Sequence, residues 1–295
     1  MMSINTKTRV FAVALCVILL LCGCNAKPKK YKRISFESET LGEMMSHVGK
    51  DTIVANEAKE SFASQMPIYE IKERSISNRE CKKMMENLGL PDNPYRMEHE
   101  GNRISINLAR YTDSSRGYFE MTKEELEKLA WDTFNKIPFM EGEYEYVGFR
   151  GEQTLSDSEG EHIERVLVSF YPILEGARVI GDYQCDLWFD GSGLVEINIR
   201  LFKYKEIGTM DLVSLAEAEG KIKTPDKMYF ESASGLTDTL KVDRVKLFFV
   251  NQYSRGCTIL QPMYTFYGTA HLENGKQTDF RSSVIAIPEE MTYEE

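Results

Sequence analysis

Six cysteines and four histidines are the residues of this chain that could ligate a metal, carry redox chemistry or serve a nucleophile. The histidines are His47, His99, His162 and His271. No two stand at H-x-x-x-H or H-E-x-x-H spacing, so no helix can offer a pair of them to one zinc ion. Glu98-His99-Glu100 and Glu161-His162 fit solvated strands or loops instead. There is no C-x-x-C pair, no G-x-S-x-G elbow, and no serine followed three residues later by lysine. The usual dithiol and serine-nucleophile signatures are therefore missing. Asp157, Glu159, Glu161 and Glu164 make a short acidic stretch. Calcium needs several converging oxygens at a defined spacing, and that spacing is absent, so the stretch reads as a solvated turn. The expectation is no catalytic residue, no cofactor and no metal site.

One thiol is set apart by its neighbours. Cys24 closes Leu21-Cys22-Gly23-Cys24, behind an apolar run over residues 10–21 and a start carrying Lys7 and Arg9. About twelve apolar residues are too few for a bilayer core, which needs roughly 20. The pattern resembles a bacterial lipoprotein signal. That resemblance implies transfer of diacylglycerol to the Cys24 thiol, cleavage before Cys24, and an address on the extracytoplasmic face of a cell membrane. An ordinary secretory signal or a short membrane anchor is the plainer alternative.

Cleavage there would leave 272 residues, enough for one large domain or two small ones. It removes two positive charges and no negative ones, so the formal net charge goes from −10 to −12. An acidic surface argues against nucleic acid, because phosphate binding needs a positive patch. Beyond Cys24 the remaining thiols are Cys81, Cys185 and Cys257. An odd number allows at most one internal disulfide, so an ordinary core must carry stability. Cys81 and Cys185 lie on apolar patterns and read as core. Cys257 follows Gly256 and reads as an exposed turn residue.

The elements that would position such groups can be read from capping and periodicity. Residues 24–46 read as a lipid-anchored tether, with Lys27, Lys29, Lys30, Lys32 and Arg33 beside the anchor. Each cation near anionic headgroups adds roughly 1 kcal/mol of attraction. Ser77-x-x-Glu80, Thr122-x-x-Glu125 and Ser214-x-x-Glu217 have the capping-box form and announce three helices. Apolar positions at i, i+3, i+4 and i+7 follow the first of them in Cys81, Met84, Met85 and Leu88. Val195, Ile197, Ile199 and Leu201 alternate with polar residues, the pattern of a half-buried strand. Asp190-Gly191-Ser192-Gly193 is the turn before it, and Pro172 is expected to end a strand over residues 166–171. The fold class expected is α+β, as two similar modules, each a helix packed on an antiparallel sheet. Residues 47–121 form an N-terminal α+β region, 122–210 the first module and 211–295 the second, with the join near 203–213.

Tyr171-Pro-Ile-Leu-Glu-Gly176-Ala-Arg-Val179, followed by Trp188-Phe-Asp-Gly-Ser-Gly193-Leu-Val-Glu-Ile197, resembles the strand pair of PepSY-type domains. Leu260-Gln-Pro262-Met-Tyr264-Thr-Phe266, after a helix, is similar to the YycH/YycI accessory proteins of Gram-positive cell-wall signalling. The whole also looks like lipoproteins of Gram-positive bacteria. Those accessory proteins act outside the cell by contact with other proteins, and the resemblance carries over no catalytic residue. It implies a non-catalytic binding or regulatory module, held by lipid on Cys24, that contacts an envelope protein. The alternative is a solute- or glycan-binding lipoprotein. Aromatic residues at 111, 118, 119, 144, 146, 188, 204, 253, 264 and 267 could line such a cleft, or simply fill a core.

Overall fold

The computed structural model describes residues 30–32, 51–54, 62–92, 94–108, 118–157, 160–181, 185–222, 237–272 and 277–293. In chain order the elements are β1 (Tyr31–Lys32), β2 (Asp51–Val54), β3 (Gln65–Glu73), α1 (Asn78–Leu88), β4 (Arg96–Glu100) and β5 (Arg103–Asn107). Then come α2 (Lys123–Phe134), β6 (Glu143–Asp157), β7 (Gly160–Leu174), β8 (Ala177–Gly181), β9 (Cys185–Asp190) and β10 (Gly193–Arg200). The chain ends with β11 (Phe202–Asp211), α3 (Leu215–Ile222), β12 (Thr237–Asn251), β13 (Gln261–Leu272), β14 (Gln277–Ile285) and β15 (Thr292–Tyr293).

All three capping sites start helices where the sequence places them. The Ser77 hydroxyl accepts from the Glu80 amide at 3.2 Å, while the Glu80 carboxylate accepts from the Ser77 amide at 2.8 Å. Thr122 and Glu125 repeat the exchange at 3.2 and 2.9 Å. At α3 the Ser214 hydroxyl accepts from the Glu217 amide at 3.2 Å. Gly89 ends α1 in the left-handed region, φ 65°. These bonds from Ser77, with Arg74 beside them, hold the Glu80 carboxyl down from 4.5 to about 2. A lowered folded value means the cap contributes fully above the ordinary carboxylate range and is lost as pH falls toward about 2. Ser77→Ala is expected to cost about 1 kcal/mol at neutral pH. In urea titrations the stability gap between the parent chain and Glu80→Gln should shrink from pH 5 to pH 2; a gap that holds constant would contradict this reading of the cap.

The helix-on-sheet pair of modules is not what the chain builds. Strands predominate, and the described residues hold three α-helices. Eleven strands join one mixed sheet, ordered β14-β13-β12-β8-β7-β9-β10-β5-β4, with β2 added on β12 and β6 on β7. The two ends of the order are antiparallel, but β8 and β2 both pair with β12 in parallel. The join expected near 203–213 falls largely on a strand: β11 pairs with β3 along its length, from Phe202↔Glu73 to Asp211↔Gln65. Caps and alternation report the type of an element, not which strand it sits beside, and here the pairing partners come from distant parts of the chain. Pro172 also fails to end its strand. β7 runs on to Leu174, with Pro172 opposite Tyr144, and turns through Glu175 (φ 48°) and Gly176 (φ 73°). Two positive φ angles suit a two-residue hairpin, because that turn's twist matches the strands it joins.

The largest core lies where α1 and α2 cover one face of the sheet. Met84, Leu126 and Ala130 from the helices meet Ile104, Val168, Leu187 and Ile197 from the strands, all fully buried. Phe134 stacks on Phe170 with ring centroids 4.2 Å apart, and Trp131 meets Phe170 edge-on at 4.8 Å. A second core sets Ala218 of α3 against Val245, Tyr264 and Phe266. The β3–β11 pair adds two more, one around Ile68, Met210 and Met263 and one around Tyr69, Ile71 and Phe249.

Cys81 and Cys185 are in the first core, as their apolar patterns imply. Cys257 is a correction: it is 1% exposed, packed with Ile259 and Met263. Burial pushes the Cys81 and Cys185 thiols up, which makes thiolate scarce. Alkylation without reductant is therefore expected to spare Cys81, Cys185 and Cys257 in the native protein and modify all three after unfolding. Mass measurement decides, and rapid native modification would contradict the packing.

Candidate functional site

Most of the groups that could have done chemistry are occupied structurally. The His99 ring donates from Nε2 to the carbonyl of Ile76 at 2.8 Å, tying β4 to the chain before α1. His162 stacks on Tyr118 with centroids 3.9 Å apart, and His271 lies in β13. His47, Cys24 and Tyr111 lie outside the described residues. The acidic stretch contains the β6–β7 hairpin, where Asp157 faces Gly160. Among the described residues no three His, Cys, Asp or Glu side chains converge as metal ligands.

The described aromatic residues do not gather into one cleft. Phe119 is in the first core, and Tyr144 and Tyr146 pack against it, beside Phe134 and Phe170 respectively. Burial raises the phenols of Tyr144 and Tyr146. Tyr264 is in the second core, and its hydroxyl donates to the Val213 carbonyl at 3.2 Å. Tyr204 accepts from Asn251, and Tyr253 packs on Phe202. Tyr267 lies between two guanidiniums, Arg244 at 4.7 Å and Arg281 at 6.0 Å from its ring centre. Their pairing across β12, β13 and β14 follows from register, which places the three residues side by side. Trp188 is half-buried in β9, opposite Leu167 and Glu196.

Among the described residues, a cleft of ≈ 340 Å³ lies between α1 and β4. Cys81, Met85, Leu90 and Met97 give it an apolar floor, and Lys82, Glu86 and Asp92 a charged rim. Its position follows from the local sequence. The helix buries Cys81 and Met84 toward the strands, which turns Met85 and Glu86 toward the sheet's end. That end is β4, the last strand in the order, paired among the described residues with β5 alone. Alternation puts Met97 and His99 on the helix side. Tyr95 and Met97 are 55% and 39% exposed, and with Ile207 they are the large apolar side chains most open to solvent among the described residues. Arg96 bonds Glu98 on β4. Charge along an outermost strand is a common guard against unwanted pairing.

Sequence reasoning leaves His99 on a solvated strand or loop, the structure places it in β4, and Tyr95 and Met97 are overlooked. A signal is there: Met97 alternates within an otherwise charged five-residue strand, Arg96–Glu100. Nothing in the sequence marks that strand as an edge.

No protein-family model and no curated protein sequence matches the chain. Among solved structures, an uncharacterized protein from Eubacterium rectale superposes with a TM-score of 0.45 at 11% identity. The match covers 79% of this chain and 86% of that one. No described helix is long and apolar enough to cross a membrane.

Proposed function

We propose that this is a lipid-anchored extracytoplasmic binding module, without catalytic activity, that contacts another protein of the cell envelope through the β4 edge and the cleft beside it. One observation carries the reading: β4, which among the described residues pairs with β5 alone, is flanked by exposed Tyr95 and Met97 and a cleft with an apolar floor. An added strand gains main-chain hydrogen bonds from the edge, while its alternate side chains enter the cleft. Methionine suits such a surface because its flexible thioether adapts to different contacts. The apolar floor suits the side chains of a peptide segment, and the charged rim of Lys82, Glu86 and Asp92 suits its polar flanks. The net charge of −12 after cleavage favours a basic partner and makes association sensitive to salt.

A photo-crosslinker at Met97, compared with one at exposed Ile207, tests this in cells. The expected result is a reproducible protein adduct at Met97 only, reduced at least tenfold when Tyr95→Ala is added. Equal capture at both positions would refute the edge as the contact. Tight binding of a defined glycan or solute by the purified protein, with no adduct at Met97, would replace the reading with that of a solute-binding lipoprotein.

A further inference from the structure

β1 is two residues long, yet its place decides how the protein would stand on a membrane. Tyr31 and Lys32 pair in parallel with Thr292 and Tyr293 of β15. The sequence reads residues 24–46 as a free tether, which at full extension would reach roughly 75 Å. The β1–β15 pairing shortens that leash. Only seven steps separate Cys24 from Tyr31, a reach of at most about 25 Å.

We infer that β1 and β15 form a clasp that holds the C-terminal end of the fold against the membrane and presents the β4 cleft away from it. The inference rests on lipidation at Cys24. The membrane side comprises β15, the turn from Pro288 to Met291 closed by a 3.0 Å backbone bond, and the end of α3, whose Lys221 lies 3.8 Å from Glu289. β15 follows β14 after six residues, and β14 is one end of the strand order. β4 is the other end, eight inter-strand steps away. At ~4.8 Å per step that is a contour of roughly 40 Å. Lys27, Lys29 and Lys30 fall within the short leash. They are kept close to the headgroups, where a Debye length of about 8 Å leaves their attraction effective. They also separate an acidic domain from an anionic surface that would repel it.

The test uses the full lipidated protein in vesicles containing anionic lipid. Spin labels at Lys29→Cys and Glu289→Cys read the clasp, since the native thiols that remain are buried. The expected distance distribution is narrow and below about 30 Å. A broad distribution reaching beyond 50 Å would overturn the clasp, with or without lipid. Fluorophores at Glu289→Cys and, separately, Lys82→Cys then report energy transfer to a headgroup acceptor. Transfer at 289 should exceed that at 82 at least fivefold, and Thr292→Pro with Tyr293→Pro should remove the difference. Equal transfer in the parent protein would overturn the orientation. The intact mass separates the two ideas: a mass without the diacylglycerol adduct would refute the lipid address, while the spin-label distance still judges the clasp.

Discussion

Cys24→Ala is expected to move the protein from the membrane fraction to the medium or the soluble envelope fraction, with incorporation of labelled lipid falling to background. The size of the effect follows from the anchor. Each buried methylene contributes about 0.8 kcal/mol, so two long acyl chains on Cys24 would anchor the protein stably where one would hold it only marginally. Without them, the five cations between Lys27 and Arg33 offer at most about 5 kcal/mol, at roughly 1 kcal/mol each. That attraction is screened by salt and opposed by the acidic domain behind it. A loss of at least a hundredfold in membrane-bound protein is therefore expected, growing with ionic strength. Retention of the variant at high salt would mean that the apolar run over residues 10–21 stays attached and serves as the anchor itself. Unchanged lipid labelling would show that another residue is modified.

Local features of this chain were legible in its sequence, and non-local ones were not. The capping residues Ser77, Thr122 and Ser214 start helices because their hydroxyls satisfy amides that have no other partner, a rule that needs only three neighbouring residues. The alternation through Val195, Ile197 and Ile199 buries one face of β10 for an equally local reason. Even the Asp190 turn is local: its carboxylate accepts from the Ser192 amide at 2.7 Å and fixes the hairpin. The overall architecture depends on something else. β8 spans five residues, pairs with β7 for two of them, and reaches β12 with its last three. That single contact joins the sheet of β2, β12, β13 and β14 to the larger antiparallel one. No periodicity in Ala177–Gly181 reveals a partner seventy residues later. The candidate site has the same limit. His99 could be placed on a strand or a loop, but only the final pairing puts β4 at the end of the described strand order and leaves Met97 exposed beside the cleft.

The β8–β12 junction predicts the largest loss of stability from the smallest change. Gly181 has φ 106°, a conformation that side chains disfavour, and a Cβ placed there would lie 2.0 Å from the backbone oxygen of Asn251. Its next contacts, at 2.9 and 3.2 Å, are also Asn251 backbone, so no flexible side chain can move aside. Asn251 itself is fully buried, with its side-chain Nδ2 donating to the Tyr204 hydroxyl at 3.3 Å and its side-chain Oδ1 accepting from the Tyr253 amide at 3.0 Å. Gly181→Ala must therefore open the three-residue parallel pairing that joins the halves of the sheet. Gly193 supplies the control: φ is 115°, but an added Cβ meets nothing within 4 Å. Gly193→Ala should show backbone strain alone, about 1–3 kcal/mol. Gly181→Ala should lose that and more, about 4–5 kcal/mol in all, because a buried hydrogen-bonded strand pair is disrupted as well. Urea unfolding followed by both fluorescence and circular dichroism reads the difference. If the junction couples the halves, the Gly181 variant should also split one transition into two, as each sheet unfolds with its own core. Equal losses for the two variants, each in a single transition, would show that the contact at Asn251 does not hold the sheet together.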